Sequence, residues 1–121
     1  MCPIRHIIEM DVKQRDILYY TTTNGKQPVR KWLENIKDSM TQAILYKRIR
    51  QAGMGNFGNT RSVGSGVSEF KIDFEQGYRV YFGIHKDKLI VLLVGGTKKT
   101  QSVDIETAKD YWNHWKKENE I

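Results

Sequence analysis

The clearest pattern in this chain is an alternation of apolar and polar side chains over residues 68–85. One set of alternate positions is apolar or aromatic: Phe70, Ile72, Phe74, Tyr78, Val80, Phe82 and Ile84. The positions between them are mostly polar: Glu69, Lys71, Asp73, Arg79, Tyr81 and His85. Successive side chains of a β-strand point to opposite faces of its sheet. The pattern, interrupted at Gln76-Gly77, therefore predicts a hairpin with one apolar face and one basic, aromatic face.

Two further segments have the composition of strands. Residues 17–20 (ILYY) predict a first strand, which is followed by the turn-forming pair Asn24-Gly25. Residues 88–94 (KLIVLLV) predict a strand that is apolar on both faces, so we expect it inside the sheet. The short turns at Gln76-Gly77 and Lys86-Asp87 predict that the last three strands are antiparallel neighbours.

Apolar residues at helical spacing predict two helices between the first strand and the hairpin. Pro28 suits the opening turn of the first helix, whose apolar stripe comprises Val29, Trp32, Leu33 and Ile36. Asp38 and Ser39 are favourable caps for the second helix, and Gly53 is a favourable stop. The buried face of the second helix comprises Leu45, Ile49 and Ala52. We expect these two helices to form a hairpin.

A last helix is predicted from about Asp104 to Lys117. Its buried seam comprises Ile105, Ala108, Trp112 and Trp115. Acidic residues at its start and Lys116-Lys117 at its end match the helix dipole. Before the hairpin, Met54 to Gly66 is rich in glycine. We interpret this segment as a flexible loop rather than a nucleotide-binding cradle, because it precedes a strand and not a helix.

These elements follow the order β-α-α-β-β-β-α, which is typical of an α+β fold. The expected architecture is a two-helix hairpin, a mostly antiparallel four-stranded sheet and a C-terminal helix. We expect a single domain over residues 15–121. Residues 1–14 show no clear period, and we interpret them as an irregular N-terminal extension.

Length and composition fit one globular domain. The chain has 121 residues, 39% of them hydrophobic, and no apolar run approaches the roughly 18 residues of a membrane span. Residues 1–13 (MCPIRHIIEMDVK) lack the apolar core of a secretory signal. Cys2 is the single cysteine, which excludes an internal disulfide and a cysteine-rich metal cluster. We expect a cytoplasmic protein without membrane association.

The distribution of charge adds more than the formal net charge of +6. No Asp or Glu occurs from Ser39 to Ser68, a stretch that contains Lys47, Arg48, Arg50 and Arg61. A long segment without acids is an electrostatic footprint for phosphate, although it is also compatible with a solvated basic surface. Our candidate RNA-binding residues are Lys47, Arg50, Arg61, Tyr81 and Lys99.

Familiar catalytic motifs are absent from the sequence. It contains no HExxH, no paired cysteines and no GxxxxGK[ST], so we expect no metal and no cofactor. The cationic face suggests a different chemistry, because RNA can be cut by its own 2′-OH attacking the adjacent phosphate. A protein then needs to orient that phosphate, stabilise its extra negative charge and move protons.

Arg79 is our candidate for the phosphate clamp, because a guanidinium grips phosphate through a planar fork. Lys71 and Lys98 are candidates to neutralise the same centre. A base-stacking or proton-donating role could fall to an aromatic residue: Tyr81, Tyr111 or His114.

Two alternatives stay open at these positions. Arg79 could form a cross-strand ion pair with Glu69 or Asp73 instead of contacting phosphate. A two-histidine ribonuclease mechanism would require folding to unite His85 with His114.

Five segments of the chain, taken in order, carry a family resemblance. They are VRKWLENIKD (29–38), KRIRQAGMGNFGNTRSVGSGVSEFKI (47–72), GYRVYF (77–82), LLVGGTKKTQ (92–101) and DIETAKDYW (104–112). With them the chain resembles the RelE/HigB-like toxins of bacterial toxin–antitoxin modules. The similarity is greatest to the branch described as phage-derived Gp49-like or addiction-module killer proteins, and it covers about 100 residues from Asp16 to Trp115.

This resemblance implies a RelE-like α+β fold, with two helices packed on a twisted sheet. It also implies an mRNA interferase, often one that cuts codons while the message is in the ribosome. The family's sheet cations would fall at Lys71, Arg79 and Lys98, with Lys99 as a neighbour, and Tyr111 is the candidate for the terminal aromatic acid or base. The family usually has arginine where this chain has Lys71, which keeps the charge but loses the bidentate fork.

The resemblance also implies partners. Toxins of this kind are neutralised by a small antitoxin, in this branch typically a helix-turn-helix protein encoded alongside. A heterotetramer with the antitoxin is one possible assembly, and mRNA and the ribosome are the expected targets.

Three functions therefore compete on the sequence. The leading hypothesis is a metal-independent endoribonuclease toxin that acts on mRNA in the ribosome. The second is a basic RNA-binding module without catalysis, which would bind with a steep salt dependence and generate no new RNA ends. The third is an interaction protein whose basic face docks an acidic partner.

Overall fold

The computed structural model describes residues 14–120. The extension predicted over residues 1–14 therefore lies outside the described residues, apart from Gln14. The strands are β1 (Asp16–Tyr19), β2 (Thr60–Gly64), β3 (Val67–Ile72), β4 (Tyr78–His85) and β5 (Leu89–Thr97). The helices are α1 (Pro28–Glu34), α2 (Ser39–Gly53) and α3 (Gln101–Asn119), and a 3₁₀ turn at Lys98–Thr100 leads into α3. The α+β class is confirmed.

The described sheet has five strands, so the prediction of four was wrong. The additional strand, β2, lies inside the glycine-rich segment that we interpreted as a flexible loop. It pairs antiparallel with β3, with Arg61 opposite Glu69. A tight turn at Ser65 and Gly66, both with positive φ, joins the two strands. The side chains of β2 are mostly exposed. Since edge pairing and not burial forms this strand, no apolar alternation marks it in the sequence.

The five strands lie in the order β1-β5-β4-β3-β2. The β1 strand runs parallel to β5, with Asp16 opposite Leu89, and all other neighbours are antiparallel. The position of β5 between β1 and β4 confirms the prediction of an interior strand. The β4–β5 register shifts by a bulge between Tyr81 and Phe82.

One face of the sheet packs against the α1–α2 hairpin, as predicted. Pro28 occupies the first turn of α1, and the Asp38 carboxylate caps α2 by accepting a hydrogen bond of 3.0 Å from the Thr41 amide. The buried residues of this core are Val29, Leu33, Leu45, Ile49, Ala52, Phe70, Ile72, Tyr78, Val80, Phe82, Ile90 and Leu92. Most of the apolar positions predicted for β3, β4 and both helices are therefore in this core. Trp32, Ile36 and Phe74 are only partly buried against it, and Ile84 is exposed.

The opposite face is covered by α3. Its seam of Ala108, Trp112 and Trp115 is buried against the sheet, together with Tyr20, Val67, Tyr81, Val91, Leu93 and Val94. Our expectation of an open basic, aromatic face is therefore wrong over most of the sheet. Tyr81 is fully buried, with 0% exposure. The part of this face near the start of α3 remains accessible, since Lys71 is half-buried there and Lys98 is exposed. Over residues 14–120, no helix has both the length and the apolar composition needed to cross a bilayer.

Close packing of α3 depends on glycine in β4. A Cβ added at Gly83 would lie 2.6 Å from the Trp112 ring, which is too close for any real side chain. The Trp112 ring also stacks on Trp115, with a centroid distance of 5.4 Å and an interplanar angle of 4°. Gly83 therefore sets how closely the tryptophan seam approaches the sheet.

Substitution of Gly83→Ala should lower the free energy of unfolding by about 1–3 kcal/mol, because the new methyl group overpacks the site of the Trp112 ring. Urea denaturation of the purified protein measures this loss. In a Trp112→Leu background the same substitution should cost markedly less, since the clashing ring is gone. An equal cost in both backgrounds would contradict this explanation.

Candidate nucleic-acid interface

The accessible part of the α3 face carries a groove lined by cations. Lys71 on β3 and Arg79 on β4 are direct partners in the strand register, so their side chains lie side by side on this face. Two adjoining hollows share these residues. The lysine pocket, about 310 Å³, is completed by Lys98 and residues 73–77. The glutamate pocket, about 330 Å³, is completed by Asn59, Arg61, Glu69 and Gln101.

Backbone contacts hold the groove's borders in place. The Lys71 amide donates a hydrogen bond of 2.9 Å to the carbonyl of Asn59, the residue before β2. This bond holds the start of β2 against β3. On the other border, Gly96 is the β5 partner of Arg79, and a Cβ there would collide with the Asp104 carboxylate of α3. The first turn of α3 therefore lies directly over β5, with Lys98 and Gln101 at the rim of the groove.

Arg79 lies at the floor of the groove and is only 6% exposed. Its Nε lies 3.5 Å from Glu69 Oε1, and its Nη1 donates to the Gly77 carbonyl at 3.3 Å. Nε itself makes no hydrogen bond within the described residues. The cross-strand ion pair with Glu69 that we considered for Arg79 is thus present. A buried guanidinium with spare donors beside a cavity is also suited to bind an anion.

Glu69 is the negative centre around which these groups are arranged. It is 3% exposed, and it accepts hydrogen bonds from Arg61 Nε at 3.3 Å on Oε1 and from Gln101 Nε2 at 3.0 Å on Oε2. Burial by itself raises the pKa of Glu69. The hydrogen bonds from Gln101 and Arg61, together with the charges of Arg61 and Arg79, outweigh burial and hold the pKa below its ordinary value. The side chain is therefore a carboxylate at neutral pH.

Two further groups beneath the groove have shifted pKa values. Burial raises the pKa of Tyr81, and the negative charges of Glu69 and Asp104 raise it further. Burial also raises the pKa of Asp104, although a hydrogen bond from Thr100 opposes that shift. The Tyr81 phenol is therefore neutral and buried, which makes it a poor source of protons for a reaction in the groove.

The structure brings together four of the predicted site residues. Lys71, Arg79 and Lys98 line the lysine pocket, and Arg61 lines the glutamate pocket. Lys99 follows Lys98 in the exposed 3₁₀ turn. Lys71 also forms an ion pair of 3.3 Å with Asp73, a pair of partly to largely exposed side chains that contributes little to stability.

Four predicted site residues lie elsewhere. Tyr81 is buried, so its ring cannot stack on a base. Tyr111 stacks on Tyr20 with a centroid distance of 4.7 Å, and it lies ten residues along α3 from Gln101, roughly 15 Å at helical rise. Lys47 and Arg50 are exposed on α2, which covers the opposite face of the sheet. Burial of Tyr81, the length of α3 and the thickness of the sheet therefore separate these residues from the groove.

The histidines that we considered for acid–base chemistry have different surroundings. His85 packs edge-on against Trp115 at 4.8 Å, whereas His114 Nδ1 lies 2.7 Å from the Tyr20 hydroxyl and its Nε2 lies 3.1 Å from Glu118. Neither histidine lines the groove. Within residues 14–120, no group of three or more His, Cys, Asp or Glu side chains is arranged to hold a metal ion.

Sequence reasoning missed two polar residues of the glutamate pocket, Asn59 and Gln101. Asn59 lies in the segment interpreted as a loop, and Gln101 lies just before the predicted start of the last helix. Their places in the groove follow from the β2–β3 pairing and from the earlier start of α3. No local signal in the sequence distinguishes them from other exposed amides.

The fold and the groove together define a small α+β protein with a cationic site between its sheet and the start of its last helix. The sequence profile described as "Phage derived protein Gp49-like" matches residues 31–112. The chain belongs to this Gp49-like family, which is part of the RelE/HigB-like branch of toxins. The family is associated with the toxins of toxin–antitoxin modules and hence with an antitoxin partner.

A protein of Haemophilus influenzae (strain ATCC 51907 / DSM 11121 / KW20 / Rd) is also similar. It is 44% identical over 78 residues, which cover 64% of this chain and 79% of that protein, and it is described as an uncharacterized protein. This description names no activity, so the family assignment rests on the profile match.

Acidification should weaken the fold through Glu69. Because its pKa is lower in the folded protein than the ordinary 4.5, its contribution to stability is present above pH 4.5 and is lost as the pH falls through the folded-state pKa. Glu69→Gln should therefore be less stable than wild type at neutral pH, and this gap should shrink on acidification. Urea denaturation at pH values on both sides of 4.5 tests this. The exposed Glu106→Gln should keep the wild-type pH dependence, and a gap for Glu69→Gln that stays constant would contradict the prediction.

Proposed function

We propose that this protein is the toxin of a type II toxin–antitoxin system and that it cleaves mRNA as a ribosome-dependent endoribonuclease. The observation that carries the proposal is the position of Arg79. This arginine is almost fully buried at the floor of a groove and is flanked by Lys71 and Lys98. Its Nε faces Glu69, and its Nη2 makes no hydrogen bond within residues 14–120. Membership of the chain in the Gp49-like family supports its assignment as a toxin. The cationic groove supports phosphate as the ligand.

The proposed reaction is attack of the RNA 2′-OH on the adjacent phosphate. The new P–O bond forms a 2′,3′-cyclic phosphate as the bond to the 5′-oxygen breaks. Water accepts the proton of the attacking hydroxyl, and water returns a proton to the departing 5′-oxygen, so the step consumes no net proton. Arg79 and Lys71, adjacent in the register, would hold the phosphate oxygens and stabilise the charge that develops on them. Lys98 would approach the same phosphate from the rim.

The cations of the groove can stabilise negative charge on the phosphate, but the groove holds no side chain well suited to transfer protons. Glu69 is engaged through both oxygens and has a lowered pKa, and Tyr81 is buried with a raised pKa. Tyr111, the predicted acid or base, lies away from the groove. Such a site would be slow on free RNA. We propose that the ribosome supplies the substrate geometry, since orientation alone accounts for a large part of many rate enhancements.

The second partner under this proposal is the antitoxin. Arg61 and Lys98, which are exposed, and Lys71, which is half-buried, give the groove a positive rim, and the exposed Lys99 follows Lys98. RNA and an acidic protein segment would compete to occupy this rim. An antitoxin that covers this rim would neutralise the toxin. The expectation that the antitoxin is a helix-turn-helix protein comes from the family resemblance alone.

A second candidate function is a basic RNA-binding module without catalysis. The observation that favours it is the ion pair of Arg79 with Glu69, because pairing partly offsets the charge needed to stabilise a transition state. Such a module would bind RNA with a steep dependence on salt and leave the RNA intact.

A purified translation system programmed with a defined message tests the proposal. Wild-type protein should generate new 5′ ends at fixed codon positions, and these ends should be absent without ribosomes. Arg79→Ala should reduce cleavage roughly 100- to 1,000-fold, the cost of removing one preorganised donor to a developing oxyanion. Arg79→Lys should also be impaired, because it keeps the charge but loses the planar fork.

Arg30→Ala is the matched control, since Arg30 is an exposed cation on α1 that pairs with Glu34 and lies outside the groove. It should cleave like wild type. Circular dichroism establishes that each variant is folded. Wild-type cleavage by a folded Arg79→Ala variant would refute the mechanism. An absence of new ends with wild type, together with tight and salt-sensitive RNA binding, would support the second candidate.

A further inference from the structure

The geometry points to Glu69 as a positioning residue that orients the Arg79 guanidinium for its ligand. This inference rests on the proposed function and assigns a role to a residue that the family resemblance did not single out. Glu69 lies on β3, two residues before Lys71, and is paired in register with Tyr81 rather than with Arg79. It therefore reaches Arg79 diagonally across the two strands.

The contacts of Arg79 explain how the orientation arises. Glu69 Oε1 attracts the Nε side of the guanidinium at 3.5 Å, and the Gly77 carbonyl accepts from Nη1 at 3.3 Å. A planar group held at two separated points has little freedom to rotate. Within residues 14–120, Nη2 makes no hydrogen bond, so its donors are available to a ligand in the groove.

Glu69 is itself held rigidly enough to act as a support. Gln101 at the start of α3 donates to Oε2, and Arg61 on β2 donates to Oε1. The carboxylate thereby joins β2, β3, β4 and α3 at one point beneath the groove. Side chains fixed by such supporting contacts maintain the geometry that catalysis requires.

A general-base role for Glu69 fits the structure less well. Both of its oxygens already accept hydrogen bonds, and its lowered pKa makes it a weak proton acceptor at neutral pH. A role in simple charge balance makes a different prediction. Removing one negative charge from a cationic groove should then strengthen RNA binding and leave cleavage unchanged or faster.

The test uses Glu69→Gln, which keeps the shape of the side chain and an acceptor oxygen but removes its charge. The first readout is the Arg79 Nε–Hε signal in NMR spectra of the full-length toxin without RNA, assigned by its absence in Arg79→Lys. We expect a rigid, slowly exchanging signal in wild type and a mobile, fast-exchanging one in Glu69→Gln. The second readout is cleavage in the translation system. We expect kcat to fall by up to about 100-fold with little change in KM, the pattern of a misplaced transition-state donor.

Glu106→Gln is the control for loss of a glutamate charge, since Glu106 is exposed on α3 and lies outside the groove. It should match wild type in both readouts. Gln101→Leu provides a second variant with no change of charge, and it should shift both readouts in the same direction by a smaller amount. This variant decides the matter if Glu69→Gln does not fold.

The outcomes separate this inference from the function on which it rests. An Arg79 signal that stays rigid in Glu69→Gln, or a signal that becomes mobile with cleavage unchanged, would overturn the positioning role. Cleavage by Arg79→Lys at the wild-type rate would instead count against the proposed function of Arg79, while the NMR comparison would still show whether Glu69 orders the guanidinium.

Discussion

The packing of α3 against the sheet is the constraint on which the rest of this structure depends. Three glycines permit it: Gly66 and Gly83 leave room for the Trp112 ring, and Gly96 leaves room for the Asp104 carboxylate. The helix buries the polar face of the β3–β4 hairpin along most of its length and stops short of its end. The groove is the part of that face that remains accessible. Its position is therefore a consequence of where α3 begins.

Partial burial also decides the electrostatic character of the groove. A cation on an open sheet would be well hydrated and mobile, whereas Arg79 is enclosed at the floor with a single carboxylate as its main partner. Lower effective dielectric strengthens both the attraction to Glu69 and the attraction to an incoming phosphate. The site thus combines a fixed, enclosed arginine with the more exposed lysines of the rim, Lys71 and Lys98.

The local patterns of the sequence predicted most of the fold correctly. The alternation in β3 and β4 and the helical stripes of α1, α2 and α3 correspond to the observed core, because burial imposes those periods. The sequence pattern did not reveal β2, which forms through backbone pairing at an edge. It also placed Tyr81 on an open face. The two errors have different origins. Periodicity shows which side chains share a face but not what covers that face, and it gives no signal for an edge strand whose side chains are mostly exposed.

The candidate site was predictable in part for the same reason. Lys71 and Arg79 come together through strand register, which the hairpin turn determines locally. Gln101 and Asn59 join them through long-range packing, and Tyr111 is carried away from them by the length of α3. The pairing of Arg79 with Glu69 was one of two arrangements that the sequence allowed for this arginine. The structure shows that Arg79 pairs with Glu69 and also lies beside a cavity. This combination depends on the full set of tertiary contacts and could not be predicted from the sequence.

The parallel pairing of β1 with β5 has a consequence for the synthesis of the protein. Asp16 is opposite Leu89 and Tyr19 is opposite Leu92, so the first described strand cannot take its place until residues 89–92 have been made. Lys98 and Gln101, which complete the groove, follow soon afterwards. A nascent chain that ends before Leu89 therefore has neither the β1–β5 pair nor a complete groove. The cationic site forms only after Lys98 and Gln101 have been synthesised.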